Sequence, residues 1–264
     1  MPTRLATWSD LLPASKLLAE AFHDDHLFGQ FVHPRRNDFP NDVYLYWLRF
    51  LREVYYTEPG EYLVVSYKTN NNNNDTTTTE TTTPSSPEKQ DQQHQTITGI
   101  AHWIRNHSHP PPTSTLSKIR LKAIETYNAL SQIPHPNRAL DKSHDAILPL
   151  GNPFFAHHWS GSRADSWHLS LLGVAPAFGK NGYGRALVGW GFERSRREGV
   201  SCSVISVVGQ EGFYRACGFD RVVGTTNDEG GEGNAWRAAG LEAAPIMFCD
   251  HGVEPRGLKG FGEG

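Results

Sequence analysis

Cysteine and methionine are scarce in this sequence, with 3 and 2 copies in 264 residues. Thiols this few, odd in number (Cys202, Cys217, Cys249) and set among apolar neighbours argue against a disulfide-stapled secreted scaffold. They read as reduced core thiols of a cytoplasmic protein. No apolar run approaches the ~20 residues needed to cross a bilayer, so no membrane association is expected. The N-terminus has no basic head followed by an apolar core, and no secretory signal is expected. Charge of one sign is lacking as well: 25 Lys and Arg against 28 Asp and Glu leave a formal net charge of −3. Nucleic-acid binding favours a clearly basic patch, so no nucleic-acid partner is expected. Metal-ligand spacing is also missing. His157 and His158 are adjacent, adjacent loop histidines rarely aim at one point, and no Cys or carboxylate stands at ligand spacing; no metal is expected.

What is present is a succession of short periodic segments. Leu5–Thr7 reads as a strand, and Ser9 or Asp10 as the cap of a helix whose Leu17, Leu18, Ala21 and Phe22 form one apolar face. Asp42–Tyr56 is a second helical pattern. Glu61–Tyr67 and Thr96–Ile104 alternate as strands. Between them, at about 69–95, lies a low-complexity tract of Asn, Thr, Pro, Ser and Gln. Its composition cannot bury apolar surface, and it is expected to be a disordered hairpin insertion, not a domain boundary. Leu116–Leu130 is helical, with Leu116, Ile119, Ala123 and Tyr127 in line. The chain is then loop-rich from Pro134 to Asp165, within an excursion at about 106–165, and that stretch is expected to supply a lid or a wall to a pocket. The strand Trp167–Val174, the helix Arg185–Glu198, the strand Cys202–Val208, a short helix Glu211–Cys217 and the strands Arg221–Thr225 and Pro245–Cys249 complete an α+β pattern. One domain over 1–264 is expected.

The segment of greatest chemical content is Val174-Ala175-Pro176 followed by Gly179-Lys180-Asn181-Gly182-Tyr183-Gly184-Arg185-Ala186. A strand that turns through glycines into a helix presents unpaired amides and the positive end of a helix dipole, a setting that suits a pyrophosphate. A P-loop is excluded because Gly184-Arg185-Ala186 supplies no Gly-Lys-Ser/Thr. A dinucleotide fingerprint starting at Gly182 would put Leu187 where a small residue is needed, and no carboxylate follows at ribose distance.

The run Leu172-x-Val174-x-Pro176 with Gly182-x-Gly184 and Ala186-Leu187 resembles motif A of the GNAT superfamily of N-acyltransferases. Gly179 and Lys180 depart from that motif, which usually has Gln or Arg at the first position and Gly at the second. Phe213-Tyr214-Arg215-Ala216-Cys217-Gly218-Phe219 resembles the same family's Tyr-x-x-x-Gly-Phe signature, and Arg4–Phe22 its first strand and helix. The resemblance spans about Arg4 to Cys249. It implies a GNAT fold, a mixed and mostly antiparallel sheet with helices on both faces. It also implies acetyl-coenzyme A as co-substrate, held at Leu172, Gly173, Val174 and Gly179 through Ala186. The implied reaction is direct attack by a primary amine, with no acyl-enzyme.

Within that frame Tyr214 matches the family's general acid for the leaving thiolate. His168 stands where members acting on arylalkylamines carry a histidine, and its ordinary pKa of about 6.5 suits a base near neutrality. Period two places His168, Ser170, Leu172 and Val174 on one face. His102, Asp24, Asp25 or a water chain are the other candidate bases. Gly173 is consistent with a bulge or a close backbone approach. Phe22, Asp24, Asp25 and Phe28 mix aromatics with acids and are expected to bind a cationic, partly apolar amine. A small-molecule amine is the expected acceptor, with a peptide or protein amine, or coenzyme binding without turnover, as alternatives. The expected assembly is a monomer or a homodimer.

Overall fold

The computed structural model describes residues 1–57, 59–69 and 95–263. Seven strands form one sheet in the order β1-β2-β3-β4-β5-β7-β6. They are β1 (Thr3–Leu5), β2 (Glu61–Thr69), β3 (Gln95–Asn106), β4 (Ser166–Val174), β5 (Ser201–Ile205), β6 (Arg221–Thr225) and β7 (Pro245–Cys249). Every neighbouring pair is antiparallel except β4 with β5. The class is therefore mixed α+β, with a mostly antiparallel open sheet. Thr69 and Gln95 face each other at the end of the β2–β3 ladder. The low-complexity tract itself lies outside the described residues.

Strand alternation divides the core. Leu63 and Val65 point to one face and the intervening Val64 to the other, as Ile100 and Ala101 do on β3. The first face is covered by α1 (Leu11–Ala21) and α2 (Pro40–Tyr56), which bury Leu17, Leu18, Trp47 and Leu51. The second is covered by α6 (Tyr183–Glu198) and α7 (Glu211–Cys217), with Leu187, Val188, Trp190 and Phe219 buried. Between the two helix pairs run α3 (Thr115–Ser131) and two single turns, α4 (Lys142–Asp145) and α5 (Asn152–Phe155). A last single turn, α8 (Ala235–Ala238), precedes β7. The segment around α5 covers the β5–β7 half of the first face through Phe155 and Trp159, which pack with Ile246 and Phe248.

Three sequence readings need correction. Asp10 does not cap α1 through its side chain; its carboxylate instead accepts from the Thr7 amide and hydroxyl and pairs with Arg4 at 2.6 Å. The apolar line on α3 faces outward, with Leu116, Ile119 and Tyr127 respectively 55%, 61% and 53% exposed. The helix is attached by its polar side: Asn128 Nδ2 donates to the Arg49 carbonyl and to Glu53 Oε1. A hydrogen-bonded seam replaced the apolar one that periodicity suggested. The third correction concerns β4. Trp103 stands opposite Leu169 and His102 opposite Leu171, so Ser170 is an extra residue, a β-bulge. The bulge breaks period two. His168 shares a face with Leu171 and Gly173, while Leu172 and Val174 turn to the α6 face.

Trp103 is fully buried and donates its indole N–H to the Leu187 carbonyl beneath α6. The helix comes this close because Gly191 has no side chain; a Cβ there would lie 2.4 Å from the Trp103 ring. Gly191→Ala is therefore expected to cost about 1–3 kcal/mol, the usual range for overpacking a core. A urea titration checks this, with the midpoint falling and the slope unchanged.

Candidate active site

The site begins where β4 and β5 part. Their parallel ladder ends at Leu169 opposite Val204, yet β4 continues to Val174. Beyond Ile205, β5 holds to β7 through the Ser206 amide and the Pro245 carbonyl. The two strands thus diverge from the Ser170 bulge onward. A cavity of about 290 Å³ fills the gap and is lined from both sides of the sheet. Leu169, Ser170, Leu171 and Leu172 form one wall, and Val204 through Val208 with Tyr214 form the opposite one. Phe22, Asp25 and Phe28 approach from the end of α1, Asn152 and Phe155 from α5, and Trp236 and Glu242 from the stretch before β7.

At the other end of β4 the chain turns through Pro176–Phe178 into the glycine loop and α6. Gly182 caps the helix in the left-handed region, at φ +83°. Lys180 also lies there, at φ +61°, which explains why a glycine suits that place in the motif. Among the described residues no loop or strand oxygen accepts from the amides of Tyr183, Gly184 or Arg185. These first-turn donors of a 16-residue helix point outward with the positive end of its dipole. A Cβ on Gly182 would meet nothing within 4 Å, and one on Gly184 would lie 3.3 Å from the Phe213 ring. The open amides, with exposed Lys180 and Arg185 beside them, fit a diphosphate.

Gly173 is not the bulge. It pairs in register with Ile100, and a Cβ there would lie 2.6 Å from Leu18, so its role is the close approach of α1 to the sheet. The bulge falls three residues earlier, at a serine with no glycine to signal it.

Tyr214 is buried and lines the cavity. Its hydroxyl has no protein partner among the described residues, and burial pushes its pKa above the usual phenol value. The phenol is thus protonated at any working pH. His168 also lines the cavity, but burial and the nearby His102 push its pKa down to about 4. It does not titrate near neutrality, contrary to its ordinary value. Its Nδ1 lies 3.1 Å from Ser203 Oγ, which already accepts the Trp159 indole N–H at 2.9 Å. The Ser203 hydroxyl proton is satisfied by donating to Nδ1, which leaves the ring proton on Nε2.

The register places His102 on the same face as His168. His102 Nε2 is 2.8 Å from Glu61 Oε2, and its Nδ1 is buried without a protein partner. Of the acidic candidates, Asp25 is half-buried, with Oδ1 accepting from the Phe28 amide, and burial raises its carboxyl pKa. Asp24 does not reach the cavity: its side chain is 91% exposed and pairs with His23. The first helix ends at Ala21, and the turn after Phe22 directs consecutive residues apart. Sequence reasoning did not single out Asn152, Phe155, Trp236 or Glu242. No local motif marks them, though the wall expected from the loop-rich stretch is supplied by Asn152 and Phe155.

Burial raises the pKa of all three cysteine thiols, and none lines the cavity. Among the described residues no cluster of three or more His, Cys, Asp or Glu is placed to hold a metal. No helix among them is long and apolar enough to cross a membrane.

A scan of protein-family models found no match, nor did a comparison with curated protein sequences. Among solved structures the chain is similar to a Corynebacterium glutamicum protein described as histone acetyltransferase HPA2 and related acetyltransferase. Identity is 13% and the TM-score 0.48, over 93% of each chain. It is similar to the PaiA N-acetyltransferase of Thermoplasma acidophilum in complex with coenzyme A, at 10% identity and a TM-score of 0.43, over 94% of this chain and 96% of that one. A mosquito arylalkylamine N-acetyltransferase like 5b matches at 11% identity and a TM-score of 0.42, over 94% of this chain and 98% of that one.

Proposed function

We propose that this protein is a GNAT-type N-acetyltransferase that moves an acetyl group from acetyl-coenzyme A to a small primary amine. The observation that carries the reading is the alignment of three features along one strand. Open amides lie at the start of α6, a freed strand edge follows on β4, and a buried, unpartnered phenol faces the same gap. The diphosphate of the co-substrate would rest on the amides of Gly182 through Ala186, with Lys180 and Arg185 supplying charge. Its pantetheine arm would run along Leu172, Gly173 and Val174, whose edge no longer pairs with β5. The thioester would then lie near Ser170, where a strand amide can donate to the oxygen that gains charge as the amine attacks. Tyr214 would protonate the departing thiolate.

The amine must also lose a proton. His168 is one acceptor, through Nε2, in the tautomer that leaves the Ser203 hydroxyl proton without a partner. A second reading has its own observation. Glu61 fixes His102 with the proton on Nε2, so the buried Nδ1 is an unshared lone pair next to the same strand. Because that nitrogen is closed to solvent and His102 is not among the cavity's lining residues, His168 is the favoured acceptor and His102, oriented by Glu61, is the second reading.

Three measurements test the proposal. Gly184→Glu is expected to abolish acetyl-coenzyme A binding in titration calorimetry, because a carboxylate would stand among the phosphates; retained affinity would remove the loop from the site. Tyr214→Phe is expected to lower turnover by about 10²–10⁴-fold, the range for losing a general acid, with coenzyme affinity kept. His168→Gln is expected to lower kcat by about 10²–10⁴-fold, the range for losing a general base, with His102→Gln costing less. The opposite order would move the base to His102.

A further inference from the structure

The cavity carries an electrostatic instruction beyond the transfer of an acetyl group. Among its lining residues are two carboxylates, Asp25 and Glu242, and no Lys or Arg. The two are close enough that Glu242 contributes to raising the pKa of Asp25. Glu242 has no hydrogen-bond or ion-pair partner among the described residues. The rest of the acceptor side is apolar and aromatic: Phe22, Phe28, Phe155 and Trp236. Phe22 and Phe28 pack with Trp47, and Phe155 with Trp236, so these rings are held in place before any ligand arrives. A second feature points to a ligand independently of the acids. Tyr214 is nine-tenths buried, lines the same space and lacks a protein partner for its hydroxyl.

We infer that the acceptor is an amine with an aromatic or branched apolar body and no carboxylate, selected by Asp25 and Glu242. This rests on the acetyl-transfer reading and narrows it. An ammonium entering the cavity meets negative charge and ring faces, both favourable. A free amino acid brings a carboxylate into a half-open cavity beside two like charges, with no Lys or Arg among the lining residues to pair with it, which is unfavourable. His26 and His168 are the remaining lining groups able to carry positive charge, and burial keeps His168 neutral above about pH 4. Asn152, Ser170 and Ser206 offer neutral polar contacts. Selection therefore acts against the acid group and not against the size of the molecule.

Three probes separate charge from bulk: 2-phenylethylamine, phenylalanine amide and phenylalanine. The amide matches the acid in size and lacks its charge. Binding of each to the full chain with coenzyme A is measured by calorimetry, and thiol release with acetyl-coenzyme A is measured in parallel. Expected is at least a 100-fold preference for the amide over the acid in both readouts. Glu242→Gln is expected to reduce that ratio about tenfold, with Glu232→Gln leaving it unchanged. Equal handling of amide and acid, or a ratio unmoved in Glu242→Gln, would overturn the inference while leaving acetyl transfer intact. Binding selectivity without thiol release from any amine would overturn acetyl transfer and leave the selection standing. Absence of binding by all three probes, or a preference for extended peptides over 2-phenylethylamine, would overturn the inference.

Discussion

The structure depends on one interrupted ladder. Strands β4 and β5 pair in parallel for four residues and then separate, because an extra serine at position 170 shifts β4 while β5 stays bonded to β7. The ladder stops one residue short of the end of β5, while five residues of β4 continue beyond it. Here the continuation of β4 keeps one edge bonded to β3 and leaves the other facing a cavity. Exposed strand edges attract other chains. This one is sunk between α1 on one face and α6 on the other, so a narrow ligand reaches it more readily than another strand.

The same bulge reverses which side chains face which layer. Leu169 packs with Trp103 and Trp167 under α6, while Leu171, two positions on, packs with Leu63 and Val65 under α1. One inserted residue thereby exchanges the two faces for every side chain of β4 after position 170. It also lets the cavity open to both faces. The aromatic wall of the cavity and the glycine loop lie on opposite sides of the sheet, and the break in the ladder lies between them.

Burial sets the protonation states around that break. It holds Tyr214 protonated, a donor that is expensive to ionise and unpartnered until a ligand fills the space. It holds His168 neutral, with Ser203 and Trp159 fixing the ring. The charge that remains is acidic, at Asp25 and Glu242. A cavity with a neutral interior and acids beside an apolar wall is the ground on which the proposed selection of a cation with a hydrophobic body rests.

Local order in the chain determined much of this. The loop from Gly179 to Ala186 was legible because a left-handed cap and a helix start have strict residue requirements, met by Gly182 and Gly184. Strand alternation at Glu61–Tyr67 and helical spacing around Leu17 and Leu18 gave the layers, since periods of 2.0 and 3.6 are local properties. Tyr214 was legible through its Gly-Phe frame. What needed the folded chain was everything set by contacts between distant segments. Periodicity on α3 suggested an apolar seam, yet Asn128 bonding to α2 turned that line outward. Alternation placed His168 with Leu172, yet the bulge at Ser170 separated them, and a serine gives no local sign of a bulge. Glu242 and Trp236 entered the site from more than 60 residues beyond the end of β4 along the chain. An ordinary imidazole pKa became one near 4 only when neighbouring elements excluded water. Sequence periodicity fixes which face a residue presents within its own element. Which faces meet, and how dry the space between them becomes, is decided when the elements pack.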